Sequence, residues 1–181
     1  MKPTQFFILP FSLLMVFLFA QTPNAYLFKG SVLSRQISAP AEKVWPYIED
    51  FCNLYKIFPI SVSFCAAGSI NAPGLVRYMS LTGQPPVGGP GTTVLYEEHR
   101  LVAINPKKRW LQFNTTTNNR LVNYWEPTME VKKKGRNASQ IKWAYLIDPA
   151  QAFTEFTLKG NLTAILDFVV TTLHAEFGVT S

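Results

Sequence analysis

Six consecutive segments of this chain alternate apolar and polar residues, and short connections rich in turn residues join them. They lie near 60–68, 75–81, 92–103, 109–116, 124–131 and 139–147. Turns such as Asn105-Pro106-Lys107 and Gly135-Arg136-Asn137 predict that each strand pairs antiparallel with the next. Ser31–Ile37 alternates as a first strand ahead of them. Between it and the six, Ser38-Ala39-Pro40-Ala41-Glu42 opens a helix, with Ser38 the expected cap and Pro40 in the first turn. Val44, Trp45, Ile48 and Phe51 follow at helical spacing. A second short helix is predicted over Cys52–Phe58, stopped by Pro59. The chain closes with a long helix from about Ala152 to Phe177, whose apolar stripe is read as Phe156, Ile165, Phe168, Val169, Leu173 and Phe177.

Seven strands in this order, with two short helices after the first and a long one at the end, predict an α+β domain. The apolar face of a seven-stranded antiparallel sheet would wrap around the amphipathic C-terminal helix and leave a cavity between them. The domain is assigned to residues 26–181. Residues 1–25 are read as a signal peptide, because Lys2 precedes the nearly all-apolar run Phe6–Ala20. That run is shorter than the roughly 20 residues of a comfortable membrane span and fits a leader's apolar region. A secreted or endomembrane protein is expected, with an anchor formed by an uncleaved leader as the alternative.

The 48% hydrophobic and 14% aromatic content excludes disorder. Fourteen Phe against 15% charged residues suit a lined pocket as well as a core. The formal net charge is +6, but the basic runs Lys107-Lys108-Arg109 and Lys132-Lys133-Lys134-Gly135-Arg136 fall where hairpin turns are predicted. No nucleic-acid motif accompanies them, so no nucleic-acid partner is expected. Three N-x-[ST] sequons begin at Asn114, Asn137 and Asn161; Asn137, in a basic turn, is the most accessible on this reading. Cys52 and Cys65 are the only cysteines; an oxidising compartment would let them pair, their spacing alone does not decide it, and two buried free thiols are the favoured expectation.

Period-two alternation puts Leu75, Arg77, Met79 and Leu81 on one face of the second of the six strands. A guanidinium among Leu and Met is costly to bury unless something anionic meets it. Arg77 is either a strand-end arginine reaching solvent or one aimed into an apolar cavity toward a polar ligand atom.

Asp50-Phe51, then Asn53-Leu54-Tyr55-Lys56 and Pro59, then Gly74-Leu75-Val76-Arg77-Tyr78 and Arg100-Leu101-Val102-Ala103-Ile104 resemble the lachrymatory-factor synthases. These are a plant branch of the START-like, birch-pollen-allergen superfamily, whose architecture is the helix grip. The resemblance runs from about residue 29 to 177 and is tightest between 50 and 104. It implies an isomerase acting on a small amphipathic molecule, without cofactor or metal, through an arginine and a glutamate that convert an alkenyl sulfenic acid to a thial S-oxide. The arginine maps onto Arg77. The glutamate's position holds His99, a departure that puts the sulfenic-acid reaction in doubt. Strand parity places Leu95, Glu97, His99 and Leu101 on one face, so Glu97 would share the cavity with His99. The catalytic candidates are therefore Arg77, His99 and Glu97.

Phe113 and Trp125 stand where the family has cavity tyrosines, and Trp143 matches a family tryptophan. With Leu95 and Leu101 they are the candidate ligand-binding residues. The Gly83–Gly91 loop would sit at the cavity mouth, where its prolines and glycines suit a lid. His99-Arg100-Leu101 also spells the latch of plant abscisic-acid receptors, but at the wrong strand. His174 is expected at the solvent side or the cap of the core. The partner in every reading is a small hydrophobic or amphipathic molecule; the open alternative to an enzyme is a non-catalytic carrier or receptor.

Overall fold

The computed structural model describes residues 27–58, 62–83, 93–118, 122–149 and 154–178, with the backbone alone at 62, 81–83, 93–95 and 118. The leader assigned to residues 1–25, and the expected lid beyond Gly83, lie outside the described residues.

In chain order the elements are β1 (Phe28–Leu33), α1 (Ala41–Glu49), a 3₁₀ helix (Phe51–Lys56), β2 (Val62–Ala67), β3 (Val76–Gly83), β4 (Thr93–Asn105), β5 (Trp110–Asn118), β6 (Val122–Lys133), β7 (Ser139–Pro149) and α2 (Glu155–Glu176). The seven strands form one sheet in the order β1-β7-β6-β5-β4-β3-β2, every neighbouring pair antiparallel. The strands from β2 to β7 run as a meander, and β1 joins the far edge beside β7. This is the predicted helix-grip architecture.

β1 starts and ends earlier than its alternation suggests. The hydroxyl of Ser34 accepts from the Ile141 amide at 3.0 Å, and the Ser34 carbonyl accepts from the side chain of Gln140 at 2.9 Å. A side chain thus takes the ladder bond a carbonyl would have taken, and regular pairing stops. Ile37 returns to the sheet only as an isolated bridge to Ser139. Ser38 does not cap α1. Pro40 holds the N-cap position with extended backbone and no side-chain cap, its fixed φ suiting a helix entry.

The cysteines are not free. Cys52, in the 3₁₀ helix, and Cys65, in β2, form a disulfide with their Cα atoms 5.1 Å apart. The sequence separation is only 13; the chain turns back between the two elements and lays the helix over the strand.

The sheet's inner face and the helices share one core. Val44, Trp45 and Ile48 of α1 belong to one buried cluster with Leu101, Leu111, Met129, Val131, Ile141 and Ile147 of the sheet. The side of α2 that enters the core is Leu158, Leu162, Leu166, Val169, Val170 and Leu173, spaced by three and four as one helix face requires. This corrects the expected stripe: Val169 and Leu173 belong to it, but Phe156 is 87% and Phe168 48% exposed. Apolar residues occur around most of this helix, so its sequence offers two stripes, and the aliphatic one packs against the sheet. Thr154 caps the start, its hydroxyl accepting from the Thr157 amide at 3.1 Å.

Candidate functional site

Arg77 lies in the middle of a row of directly opposed residues. Cys65 of β2 faces Arg77 of β3, and Arg77 faces His99 of β4. Opposed residues project to the same side of a sheet, and here that side is the interior: Arg77 is 2%, His99 2% and Glu97 5% exposed. The solvent-reaching reading of Arg77 is thereby excluded. The expected neighbours Leu75 and Met79 are buried beside it.

Three kinds of contact hold the guanidinium. Nη1 donates to the Phe51 carbonyl at 2.9 Å, and Nη2 lies 3.0 Å from His99 Nδ1. Its Cζ sits 4.1 Å from the centre of the Phe51 ring and 4.9 Å from that of Phe113, and those two rings adjoin each other at 5.4 Å, so the cation rests against an aromatic corner. Burial pushes the Arg77 pKa down to about 9 and Glu97 pulls it back up, which leaves the group cationic at neutral pH.

An arginine has only donors, so His99 Nδ1 must be the acceptor. The ring proton is then on Nε2, the atom 2.8 Å from Glu97 Oε2. Arg77, a neutral His99 and Glu97 form a relay with a cation at one end and a carboxylate at the other. His99 thus stands between the two charges, Nδ1 against the guanidinium and Nε2 beside the carboxylate. β4 supplies two of the three groups, and its register against β5 shifts between Glu98 and His99. A bulge of this kind bends the sheet and re-aims side chains next to it.

Phe113 is buried with its ring 4.8 Å from that of His99. Leu101 is fully buried on the same face of β4. Leu95 opposes Leu81 in the ladder, but its side chain lies outside the described residues. Trp125 and Trp143 line a second stretch of the interior, their rings 6.3 Å apart. Two further residues complete it: Tyr145, which strand parity puts on Trp143's face, and Phe58, which sequence reasoning passed over. Phe58 meets Trp143 edge-on at 5.7 Å, and Tyr145 stacks on Trp125 at 6.1 Å. Tyr145 fits because its β1 partner is Gly30; a Cβ there would stand 2.5 Å from the tyrosine hydroxyl. The Trp143 indole nitrogen, the Tyr145 hydroxyl and Arg77 Nε are buried and have no hydrogen-bond partner among the described residues. Buried polar atoms are rarely left so, and these three are polar points in an otherwise apolar lining.

Phe51 was also missed as a site residue. Its apolar spacing marked it as core, which it is, yet its carbonyl and ring are the nearest partners of Arg77. Only the Asp50-Phe51 motif hinted at more.

Residues 31–178 match the family described as "Polyketide cyclase / dehydrase and lipid transport". The chain belongs to that family. No curated protein sequence matches it. Among solved structures, ginseng major latex-like protein 151 from Panax ginseng superposes with a TM-score of 0.63 at 13% identity, covering 83% of this chain and 97% of that one. The protein XoxI from Bacillus cereus gives 0.61 at 22% identity, covering 83% and 94%. At such identities these two are similar in fold alone.

For a member of the polyketide cyclase/dehydrase and lipid transport family, the chemistry available is narrow. A fixed cation meets an oxygen that carries or gains negative charge. A carboxylate in a dry interior takes a proton and returns it.

Proposed function

We propose that this protein is a lachrymatory-factor-synthase-like isomerase of plant origin that moves a proton within a small amphipathic molecule. The observation that carries the reading is the buried relay of Arg77, His99 and Glu97. Arg77 holds the substrate's polar oxygen. Glu97 removes the acidic proton and delivers it to another atom of the same molecule, while neutral His99 couples the carboxylate to the guanidinium. On an alkenyl sulfenic acid the step balances without a co-reactant: the O–H proton goes to the far alkenyl carbon, and the C=C electron pair shifts to form C=S. The glutamate absent from its family position is supplied two residues earlier on the same face.

A carrier for an apolar metabolite is the second reading. It is favoured by the "lipid transport" half of the family's description and by the near-complete enclosure of Arg77. Turnover decides between them. Purified protein, with Glu97→Gln and His99→Ala variants, is given a sulfenic acid generated in situ, and the volatile thial S-oxide is measured. The enzyme reading expects turnover by the wild type and a loss of about 10²–10⁴-fold in Glu97→Gln. No turnover by any of the three, with equal binding of a hydrophobic fluorescent probe, leaves the carrier.

We also propose passage through the secretory pathway. The Cys52–Cys65 disulfide suits an oxidising compartment, and no helix among the described residues is long and apolar enough to cross a membrane.

A further inference from the structure

The disulfide and the candidate site meet at one place. Cys65 is the residue directly opposite Arg77 on the neighbouring strand. Its bonded partner Cys52 follows Phe51, the residue whose carbonyl and ring hold the guanidinium. Beside the disulfide, the Ser63 hydroxyl of β2 donates to the Cys52 carbonyl at 2.8 Å. The carbonyls of Phe51 and Cys52 are thus fixed by two neighbouring strands: one by Arg77 of β3, the other by Ser63 of β2. The covalent bond sets how far the 3₁₀ helix stands above that part of the sheet.

Without the bond, the helix would be held there by single hydrogen bonds and by the packing of Phe51 and Leu54. β2 is an edge strand, paired on one side only, with a register shift between Cys65 and Ala67. The other contacts of Arg77, to His99 and Phe113, come from β4 and β5 in the interior of the sheet and do not depend on the disulfide.

We propose that the Cys52–Cys65 disulfide is a positioning device for Arg77, so that its redox state sets how strongly the site grips an anionic or polar group. A dithiol opens it by thiol–disulfide exchange: the S–S bond is replaced by two thiols, and the reagent leaves as its own cyclic disulfide. The Phe51 carbonyl then loses its fixed height above β3, and Arg77 gains freedom that a bound oxygen must remove again. The apolar walls built by β4–β7 keep their shape. This inference rests on the reading that Arg77 receives the ligand's polar group, and the experiment separates the two.

Oxidised protein, protein reduced with dithiothreitol, and a Cys52→Ala/Cys65→Ala variant are titrated with an anionic fluorescent probe, anilinonaphthalene sulfonate, and an uncharged one, Nile red. Arg77→Gln with the disulfide intact is titrated alongside. The expected result is an affinity for the anionic probe about tenfold weaker in the reduced and double-alanine proteins, the scale of one hydrogen bond to a charged group, with the uncharged probe within twofold. Independently of any ligand, the Arg77 Nε–H resonance of ¹⁵N-arginine-labelled protein should shift or broaden on reduction and recover on reoxidation, which also covers the case in which the double variant does not fold. Unchanged anionic binding and an unchanged Arg77 resonance after reduction overturn the proposal. An Arg77→Gln protein that still prefers the anionic probe as the wild type does overturns the ligand role of Arg77, whatever reduction does to its resonance.

Discussion

The guanidinium of Arg77 keeps its charge in a buried setting because two adjoining aromatic rings, a backbone carbonyl and a histidine beside a carboxylate all meet it. Removing one member of such a set is costlier than removing both charges, since it strands the other. Arg77→Met should lower unfolding free energy by about 3–5 kcal/mol, and Arg77→Met/Glu97→Leu should recover most of that loss. Urea unfolding of the three proteins is the check, and an equal loss in single and double variants would show that the charges are not coupled. At the aromatic end, Gly30→Ala should cost about 1–3 kcal/mol, because the added methyl displaces the Tyr145 hydroxyl. Part of the relay was readable in the sequence. Period two put Glu97 beside His99 on β4 and Arg77 beside Leu75 and Met79 on β3, and the family resemblance singled out Arg77 and position 99. That the two strands set Arg77 opposite His99 is a matter of register. Arg77's partner Phe51 O was not readable, since a carbonyl has no sequence signature and its placement depends on a helix folding over a strand. The pairing of Cys52 with Cys65 was hidden for the same reason.

Elements show the same division. Alternation located every strand of the meander, but α2 carries apolar residues on two sides, and only its docking on the sheet reveals which side is buried. Phe168→Ser should therefore change stability by no more than about 0.5 kcal/mol, while Leu166→Ala should cost about 2–5 kcal/mol; thermal unfolding of the pair tests this. His174, expected near solvent or at the cap of the core, is buried at the end of α2 and accepts the Ser38 amide on Nε2 at 3.1 Å. Burial lowers its pKa, and the nearby Arg35 lowers it further. Arg35 itself bonds Thr171 at 2.7 Å and lies 3.7 Å from Asp167, so the charges around this histidine come from both β1's exit and α2. With the folded value depressed below a histidine's ordinary value of 6.5, the unfolded chain binds the proton more tightly. The stability contributed by neutral His174 is thus complete above that value and is lost as pH falls from there through the folded pKa. Protection factors along the last two turns of α2, with the intrinsic pH dependence of exchange divided out, should fall in that window, and His174→Gln, an acceptor that does not titrate, should remove the fall. Identical pH profiles in both proteins would rule out this role.

Across the whole molecule, the three sequons occupy different settings. Asn137 is exposed in the β6–β7 turn, Asn161 is exposed on α2, and Asn114 is half-buried within β5 with its side-chain oxygen enclosed. Expression of the full chain through a eukaryotic secretory pathway should add a glycan at Asn137. Glycosidase treatment should reveal it as a mass shift that Asn137→Gln abolishes and Asn114→Gln leaves in place. An unmodified secreted chain would remove this support for the proposed compartment. The pairing of β1 with β7 has another consequence, for how the protein is made. Ser34 and Ile141, bonded side chain to amide, are 107 residues apart, so the first strand leaves the ribosome long before its partner exists. At roughly 5–20 residues per second the wait is about 5–20 s. Throughout that interval the growing sheet has an unclosed edge at its newest strand. The pairing of β7 with β1 comes last, and with it the seat for α2, so a chain stalled before β7 holds Arg77 and Glu97 on an uncovered sheet, their places already written but not yet buried.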